Sequence, residues 1–532
     1  MSLSTEKQGT LKKTSIWKDF HVDPPDIDFI YNWLLEKEVP QTQQAITEAL
    51  VKNRIDQKKA AIQKKNKNLN VFRPVETYET GDHLTFSYFD MQPGKVVSKR
   101  SGTNPDHGDF EIITVEFGNG EQREFATGIE DHILNEFSLM NENDPDLEPE
   151  IVMQAYGDQL MKDIQQQIVA SGSFGNIAEQ WFPEALLIDI NAGHMNLAEA
   201  VLDFTGDTPV STADIIEQIG LKDSNQALLE FSLNIALQND PRFDEVGPSG
   251  DILWYLTSRE PKEINEHPSV LQSILIDESS KNEIDDMLTM FEGMIADEYE
   301  LNTVTGDEEG KDELTFSLIF PHWVSGTLPL TPALKNFFPT SIETPHIRFK
   351  FIDGQNRKEF AGWVAKPFNF VAGLKAWYQK VGLLPGSLIH IKKGKNPGEV
   401  IIRPEKKRPA REWIRVVDFN QQNQISFSMQ MELINAGYND RMLFGIADEQ
   451  ALLDHWVTTP TPQYFDKTVH HLMRELMKLN PQGHVHGQEL YAATNLVMRC
   501  PPRTLLALLE KVNWVEHTGD LYYRLIDGAK EG

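Results

Sequence analysis

Between Asn196 and Leu256 the chain alternates apolar periods with turn chemistry in an order that predicts a compact unit. Residues 196–204 carry apolar side chains at helical spacing, and Asp207-Thr-Pro-Val-Ser211 interrupts them. Thr212 can cap a short helix over 213–219, with Asp214 near its positive end and Gly220 as its stop. A longer helix over 224–238 places Ala227, Leu228, Phe231, Ile235 and Ala236 on one face, and Asp240-Pro241 ends it. Two extended runs, 243–246 and 252–256, then flank Gly247-Pro-Ser-Gly250, which is hairpin chemistry. Strand alternation puts Ile252, Trp254 and Leu256 on one face, with Trp254 as the packing anchor. Helix, turn, helix, helix and hairpin is the order of a winged helix, in which Asn225, Gln226, Arg242 and Ser249 would form the contact surface.

The same reading divides the rest of the chain. Residues 1–68 predict a helical region: an amphipathic helix over 26–37 after Asp23-Pro-Pro25, then a second over 41–65 that ends in a lysine-rich face. Short strands at 85–88, 95–99, 111–117 and 122–126, separated by turn residues, predict a small SH3-like β-barrel over 69–137. Residues 138–193 read as a helical connector in which Ser171-Gly-Ser-Phe-Gly175 is a turn; with no Lys-Ser or Lys-Thr after it, a phosphate-cradling loop is unsupported. The winged helix occupies 194–260, and an acidic connector follows over 261–320. In 321–417, strands at 346–352, 360–365, 387–392 and 399–403 and one helix over 371–381 predict a β-rich pseudobarrel. A second connector, 418–464, leads to helices at 467–479, 488–496 and 501–510 and a hairpin over 514–525, a second winged helix within 465–527. The expected fold class is therefore α+β and multidomain.

Composition changes this picture through the distribution of charge. The 532 residues carry a formal net charge of −30, which on average repels a phosphate backbone. Yet residues 277–313 hold 14 acidic and two basic residues, whereas 335–415 hold 17 basic and six acidic ones. The first segment reads as an exposed loop, because so many like charges cannot share a dry core. In the second, Arg357, Lys358, Lys392, Lys393, Lys395, Lys406, Lys407, Arg408 and Arg411 are candidates for nucleic-acid contact, the lysines at phosphates and Arg357 and Arg411 within reach of base edges. Solvation, or pairing with the acidic connector, is the alternative use of these charges. One cysteine, Cys500, excludes a disulfide framework and fits a reducing compartment. With no long apolar run and a polar first 20 residues, the expectation is a soluble, cytoplasmic protein without membrane contact.

Thr208-Pro-Val-Ser211, the long third helix, Arg242-Phe-Asp-Glu-Val-Gly247 and Leu253-Trp254 together resemble the HARE-HTH winged-helix family over about residues 194–258. That module is shared with the delta subunit of bacterial RNA polymerase and with restriction-associated proteins, so the resemblance implies a place in DNA or transcription biology. Gly362-Trp363, Leu374 to Tyr378 and Leu384-Pro-Gly386 are similar to the DNA-binding pseudobarrel of plant transcription factors and restriction-enzyme effector domains.

Catalytic constellations do not emerge from the sequence: there is no Gly-x-Ser-x-Gly elbow, His-Glu-x-x-His helix or Rossmann glycine pattern. His470-His471, His484-Val-His486 and Cys500 match no familiar zinc spacing, so neither a metal nor a cofactor is assigned. The expected function is a non-catalytic DNA-binding or transcription-associated adaptor with duplex DNA as partner. The alternatives are a protein-interaction scaffold on an assembly such as RNA polymerase, or a component of a restriction or defence system.

Overall fold

A computed structural model describes residues 15, 17–18, 20–67, 70–89, 91–103, 110–136, 144–273, 295–299, 312–341, 344–396, 398–456 and 462–526. The architecture is α+β, with 14 helices and six sheets among the described residues. It divides into two compact units, residues 1–188 with 224–231, and residues 189–223 with 232–532.

In the first unit, helix Pro24–Lys37 starts behind a reciprocal Asp23 and Asp26 cap, which Arg54 of helix Gln43–Lys67 grips through both carboxylates. Part of the lysine-rich helix is thus tied down rather than solvated. Strand β1 (Gln41–Thr42) lies between these helices. Strands β2 (His83–Phe86), β3 (Gln92–Ser101), β4 (Glu111–Phe117) and β5 (Gln122–Thr127) form an antiparallel meander. Its core is Phe72, Tyr78, Leu84, Phe86, Val96, Ile113, Val115 and Phe117. After helix Pro149–Ser171, Gly172 (φ 60°) closes the helix and β6 (Phe174–Ile177) pairs at once with β7 (Gln180–Pro183), so the stretch expected to be only a turn is a helix cap running into a strand.

The second unit begins with helices Ala192–Thr205 and Thr212–Ile219 and a sheet in the order β8 (Val210–Ser211), β10 (Leu253–Leu256), β9 (Phe243–Glu245). Trp254 is fully buried, and its Nε1 donates to Asn234 Oδ1 (2.9 Å) and Thr212 Oγ1 (3.2 Å). The expected single buried face of β10 is incomplete, since Tyr255 is buried too and packs at a tilt, ring centroids 5.4 Å apart, against Trp363 of the next sheet. Helix Gln226–Gln238 also departs from the expected stripe. Leu229, Phe231, Leu233, Ile235 and Leu237 are buried together with the polar Ser232 and Asn234, while Ala227 is exposed.

Seven strands then form a half-barrel: β11 (Glu313–Ser317), β12 (Thr327–Pro329), β13 (His346–Asp353), β14 (Glu359–Ala365), β15 (Phe370–Ala372), β16 (Leu388–Lys393) and β17 (Glu399–Pro404). Their order is β11-β16-β17-β13-β14-β15-β12, with β13 and β17 parallel and every other pair antiparallel. Helix Phe320–Ser325 joins the two edge strands, which requires the sheet to curl. Its concave side is filled by Phe349, Phe351, Val371, Ile389, Ile391 and Ile402, with Trp377 and Tyr378 from helix Lys375–Val381. That helix starts later than residue 371 because Gly373 (φ 105°) breaks the chain direction where a Cβ would lie 2.5 Å from the Ala361 carbonyl oxygen.

Two limits expected for this module fall inside paired structure. A start at 321 leaves out edge strand β11, and an end at 417 cuts β18 (Ala410–Phe419), which pairs over ten residues with β19 (Ile425–Ile434). Residues 418–464 are therefore more than a connector, since they also supply β20 (Phe444–Ile446), parallel to β18, and helix Glu449–Asp454. The chain closes with helices Pro462–Met477, Gly487–Val497 and Pro502–Lys511 and a sheet in the order β21 (Val485–His486), β23 (Tyr522–Leu525), β22 (Val515–Gly519). One apolar cluster joins Ile295, Phe320, Val417, Ile425, Phe427 and Phe444 to the closing helices. Among the described residues no helix is long and apolar enough to cross a membrane.

Candidate functional site

The half-barrel distributes the basic candidates to two ends rather than one face. Lys392, Lys393 and Lys395 sit at the β16–β17 hairpin, which precedes the Glu399 end of β17. Arg357 and Lys358 sit in the turn after Asp353, and the parallel register pairs Asp353 with Ile402, near the other end of β17, where Lys406, Lys407 and Arg408 follow. Buried Asp353 builds that turn by accepting from Gln355 N and Asn356 Nδ2, which holds Arg357 in the left-handed region (φ 62°). Lys407 is engaged, bonding Glu412 at 2.8 Å over the Tyr438 ring. Arg357, Lys358, Lys392, Lys393, Lys395, Lys406, Arg408 and Arg411 are exposed and have no ion pair among the described residues.

The four residues assigned to a winged-helix contact surface have intramolecular partners at three positions. Arg242 is held by Asp240 (2.6 Å), Glu199 (2.6 Å) and Asn196 (3.0 Å), and the Asp240 and then Glu199 carboxylates push its guanidinium pKa up. Asn225 caps its helix by accepting from Leu228 N and bonds the Glu38 carbonyl. Gln226 bonds Glu230 within the same helix. The Ser249 side chain is exposed, but its backbone N–H donates to Thr340 O (2.8 Å). The hairpin is stitched down further by Arg348 N to Val246 O (2.9 Å) and by the Thr344 hydroxyl on Glu245. The Glu245 carboxylate also accepts from Gly247 N and Leu253 N, and burial raises its pKa. At Gly247 a Cβ would come within 1.9 Å of Asp251 O, so no other residue permits this closure.

A cluster of exposed apolar side chains lies across the boundary expected at 417. Register places Arg411, Trp413 and Arg415 of β18 opposite Leu433, Met431 and Met429 of β19, all on one face of the ribbon. Farther along that face, Val417, Ile425 and Phe427 are buried in the shared core. The near half runs past that core, leaving Trp413 64%, Leu433 54%, Met431 49% and Met429 43% exposed. A cavity of about 330 Å³ opens beside it, lined by Trp413, Met429, Tyr438, Leu443, Leu479 and Pro481 among others. Arg415 at the inner edge is fixed by Glu489 (2.9 Å) and by the Asp440 carbonyl. Alternation in Met429-Gln-Met-Glu-Leu433 and Arg411-Glu-Trp-Ile-Arg415 was the sequence trace of this ribbon.

Two polar centres are enclosed within the second unit. In the first, Arg499 donates to Asp297 (2.5 Å), Glu298 (3.1 Å) and Asn495 (3.0 Å), while Tyr491 bonds Asp297. Glu298 also meets His322 Nε2 at 2.8 Å, and His322 Nδ1 meets Thr327 Oγ1 at 2.7 Å. Burial alone would raise the Glu298 pKa, but the charges of Arg499 and His322 hold it well below the usual range. Asp297 and Glu298 belong to the acidic stretch expected to be an exposed loop; paired with Arg499 they are buried, whereas most of that stretch lies outside the described residues. In the second centre, Asp244 of β9, Glu260 and His346 of β13 converge, with donor atoms within 4.8 Å of one another. Burial, and then the adjacent Asp244 carboxyl, push the Glu260 pKa up to about 7.

The histidines singled out in sequence are not gathered with Cys500. His471 Nε2 meets Ile425 O, His470 packs on the Trp514 ring, and His486 caps helix Gly487–Val497. Cys500 is buried, and that burial raises its thiol pKa. No protein-family model, curated protein or solved structure gives a significant match to the chain.

Proposed function

We propose that this chain is a non-catalytic adaptor that captures an acidic, amphipathic protein segment on the exposed shelf of the β18–β19 ribbon. The observation that carries this reading is the half-packed, half-open face bearing Trp413, Met429, Met431 and Leu433. Four large apolar side chains so exposed make a patch on the order of a few hundred Å², the size at which apolar surface marks an interaction site. Trp and Met supply anchor and adaptable contact area. The rim sets the sign of the partner's charge, since Arg411 shares the face and Arg408 lies close by in sequence, both without an ion pair among the described residues. Acidic groups on the partner would be steered to them.

The order of elements over 192–256, with β10 central between β8 and β9, supports a winged-helix reading of 194–260 and its likeness to the HARE-HTH family. The same pattern over 462–525, with β23 central, supports a second winged helix, and the meander of β2 to β5 supports an SH3-like barrel. These modules favour an adaptor over a reader of bases. Helix Gly487–Val497 is buried at nearly every position, and the first hairpin is docked internally. A second reading, duplex DNA at the half-barrel, rests on the exposed basic residues at its ends.

Titrating the full chain with a fluorescently labelled Leu/Glu amphipathic peptide and, separately, with labelled duplex DNA tests both readings. Binding of the peptide, lost in Trp413→Ser/Met431→Ser but kept in Arg357→Glu/Lys358→Glu, is the expected result. Equal peptide binding by the wild type and the shelf variant overturns the adaptor surface, and salt-sensitive DNA binding lost only in the charge-reversed variant supports the second reading.

A further inference from the structure

We propose that Asp244, Glu260 and His346 form a binding site for one divalent transition ion of the zinc class, clamping the β9–β10 hairpin to the half-barrel. The three donors come from β9, from the segment after β10 and from the first residue of β13. His346 Nδ1 lies 3.3 Å from Asp244 Oδ2 and 3.8 Å from Glu260 Oε2. Ligands bound tetrahedrally at about 2.0–2.1 Å stand about 3.3–3.4 Å apart, so both His346 separations are close to those of a bound ion, and all three donors lie within 4.8 Å of one another.

A second observation points independently to a ligand. The Glu260 side chain is only 1% exposed, and its Oε1 is buried without a hydrogen-bond partner. A buried carboxylate oxygen left unpaired is costly, and a cation gripped by both oxygens of the Glu260 carboxylate would satisfy it. The other oxygen, Oε2, accepts from Asn265 Nδ2 at 2.9 Å, the outer-shell bond that orients a ligating carboxylate. One imidazole and two carboxylates suit zinc-class ions, whereas magnesium and calcium call for about six or more oxygen ligands. A 2+ ion would also neutralise the two carboxylates with the imidazole uncharged, and water would complete the coordination.

The full chain, stripped with a chelator, is titrated with Zn²⁺ alone by calorimetry and with Co²⁺ as a visible-absorption probe. Expected are one ion per chain, a tetrahedral cobalt spectrum, and affinity lowered at least about tenfold by His346→Gln and by the near-isosteric Glu260→Gln. His21→Gln, remote in sequence and on an exposed residue, should bind as the wild type does. Hydrogen exchange in 243–246 and 346–348 should slow on zinc addition in the wild type, a readout that does not depend on any variant folding. No zinc binding by the wild type, or unchanged affinity in folded His346→Gln and Glu260→Gln, overturns the site and leaves the carboxyl pair sharing a proton.

Discussion

Replacing Arg499 by Met should destabilise the second unit by about 3 kcal/mol at neutral pH, the low end of the 3–5 kcal/mol typical when one partner of a buried ion pair is removed. The Arg499 side chain is wholly buried, and its loss strips Asp297 and Glu298 of their shared cation. The low end applies because both carboxylates keep other donors: Tyr491 and Tyr299 N on Asp297, and His322 on Glu298. Acid supplies a second, independent check through the sign of the effect. In the wild type the depressed Glu298 pKa contributes stability that is complete above its ordinary value of 4.5 and is lost as pH falls through the lowered value. In the variant only His322 still offsets burial, so the Glu298 carboxyl pKa lies above its wild-type value and the variant loses less stability than the wild type as pH falls through it. The gap between the two proteins must therefore narrow from about pH 7 to about pH 4. Denaturant unfolding, followed by hydrogen exchange in 295–299 and 487–497, measures it locally, because a chain of two units need not unfold in one step. A gap below about 1 kcal/mol at neutral pH, within the range of exposed ion pairs, or one that stays constant in acid, refutes the reasoning.

Trp254→Ala should cost about 3–5 kcal/mol, the range for a fully buried Trp, as read by denaturant midpoint. Trp254→Phe should cost less, about 1–2 kcal/mol, because Thr212 still donates to Asn234 Oδ1 when the indole N–H is gone. His486, whose pKa burial and then Arg441 lower from 6.5 to about 4, accepts from Gln488 N as a neutral ring. A base depressed in this way loses stability as pH falls from 6.5 toward about 4, by up to about 3 kcal/mol. His486→Asn, which keeps a capping oxygen, should abolish that share of the acid loss in thermal unfolding scans across the same range.

Local periodicity made the helices and hairpins of 192–256 and 462–525 legible, because each has a stripe or an alternation that its own residues define. What periodicity does not encode is the cover on a second face. Trp254 was readable as an anchor, but Tyr255 is buried only because the hairpin lies on Trp363, 108 positions away in sequence numbering. A lone Arg near a hairpin, as Arg242 is in the sequence, carries no mark of Glu199, which reaches it from helix Ala192–Thr205. Asp297 and Glu298 disappeared into an acidic average, since the cation that justifies their burial lies at 499. Asp244, Glu260 and His346 follow no local spacing at all; only the docking of β9 on β13 assembles them. The β18–β19 ribbon was the avoidable miss, as its alternation spans both strands and the boundary drawn at 417 cut through it.

The proposed recognition surface lies on this ribbon, outside the helical modules. β19 is an edge strand, paired on one side by β18 over ten residues. Proteins blunt long edges with charges, prolines or covering segments, because an open apolar edge templates association. Here the charged and polar residues Ser426, Ser428, Gln430 and Glu432 alternate onto the opposite face, and the shelf side of β19 presents Met429, Met431 and Leu433 without a charge among them. The arginines on β18 guard its two ends but not its middle, where Trp413 faces Met431. In a chain of net charge −30, like-charge repulsion between copies discourages self-association, while Arg411 at the rim still favours an acidic segment locally. On the proposed reading, apolar adhesion at the shelf and local attraction at Arg411 would have to outweigh long-range repulsion from the chain's net negative charge, which restricts the partner to one that brings both an acidic flank beside Arg411 and an apolar stripe.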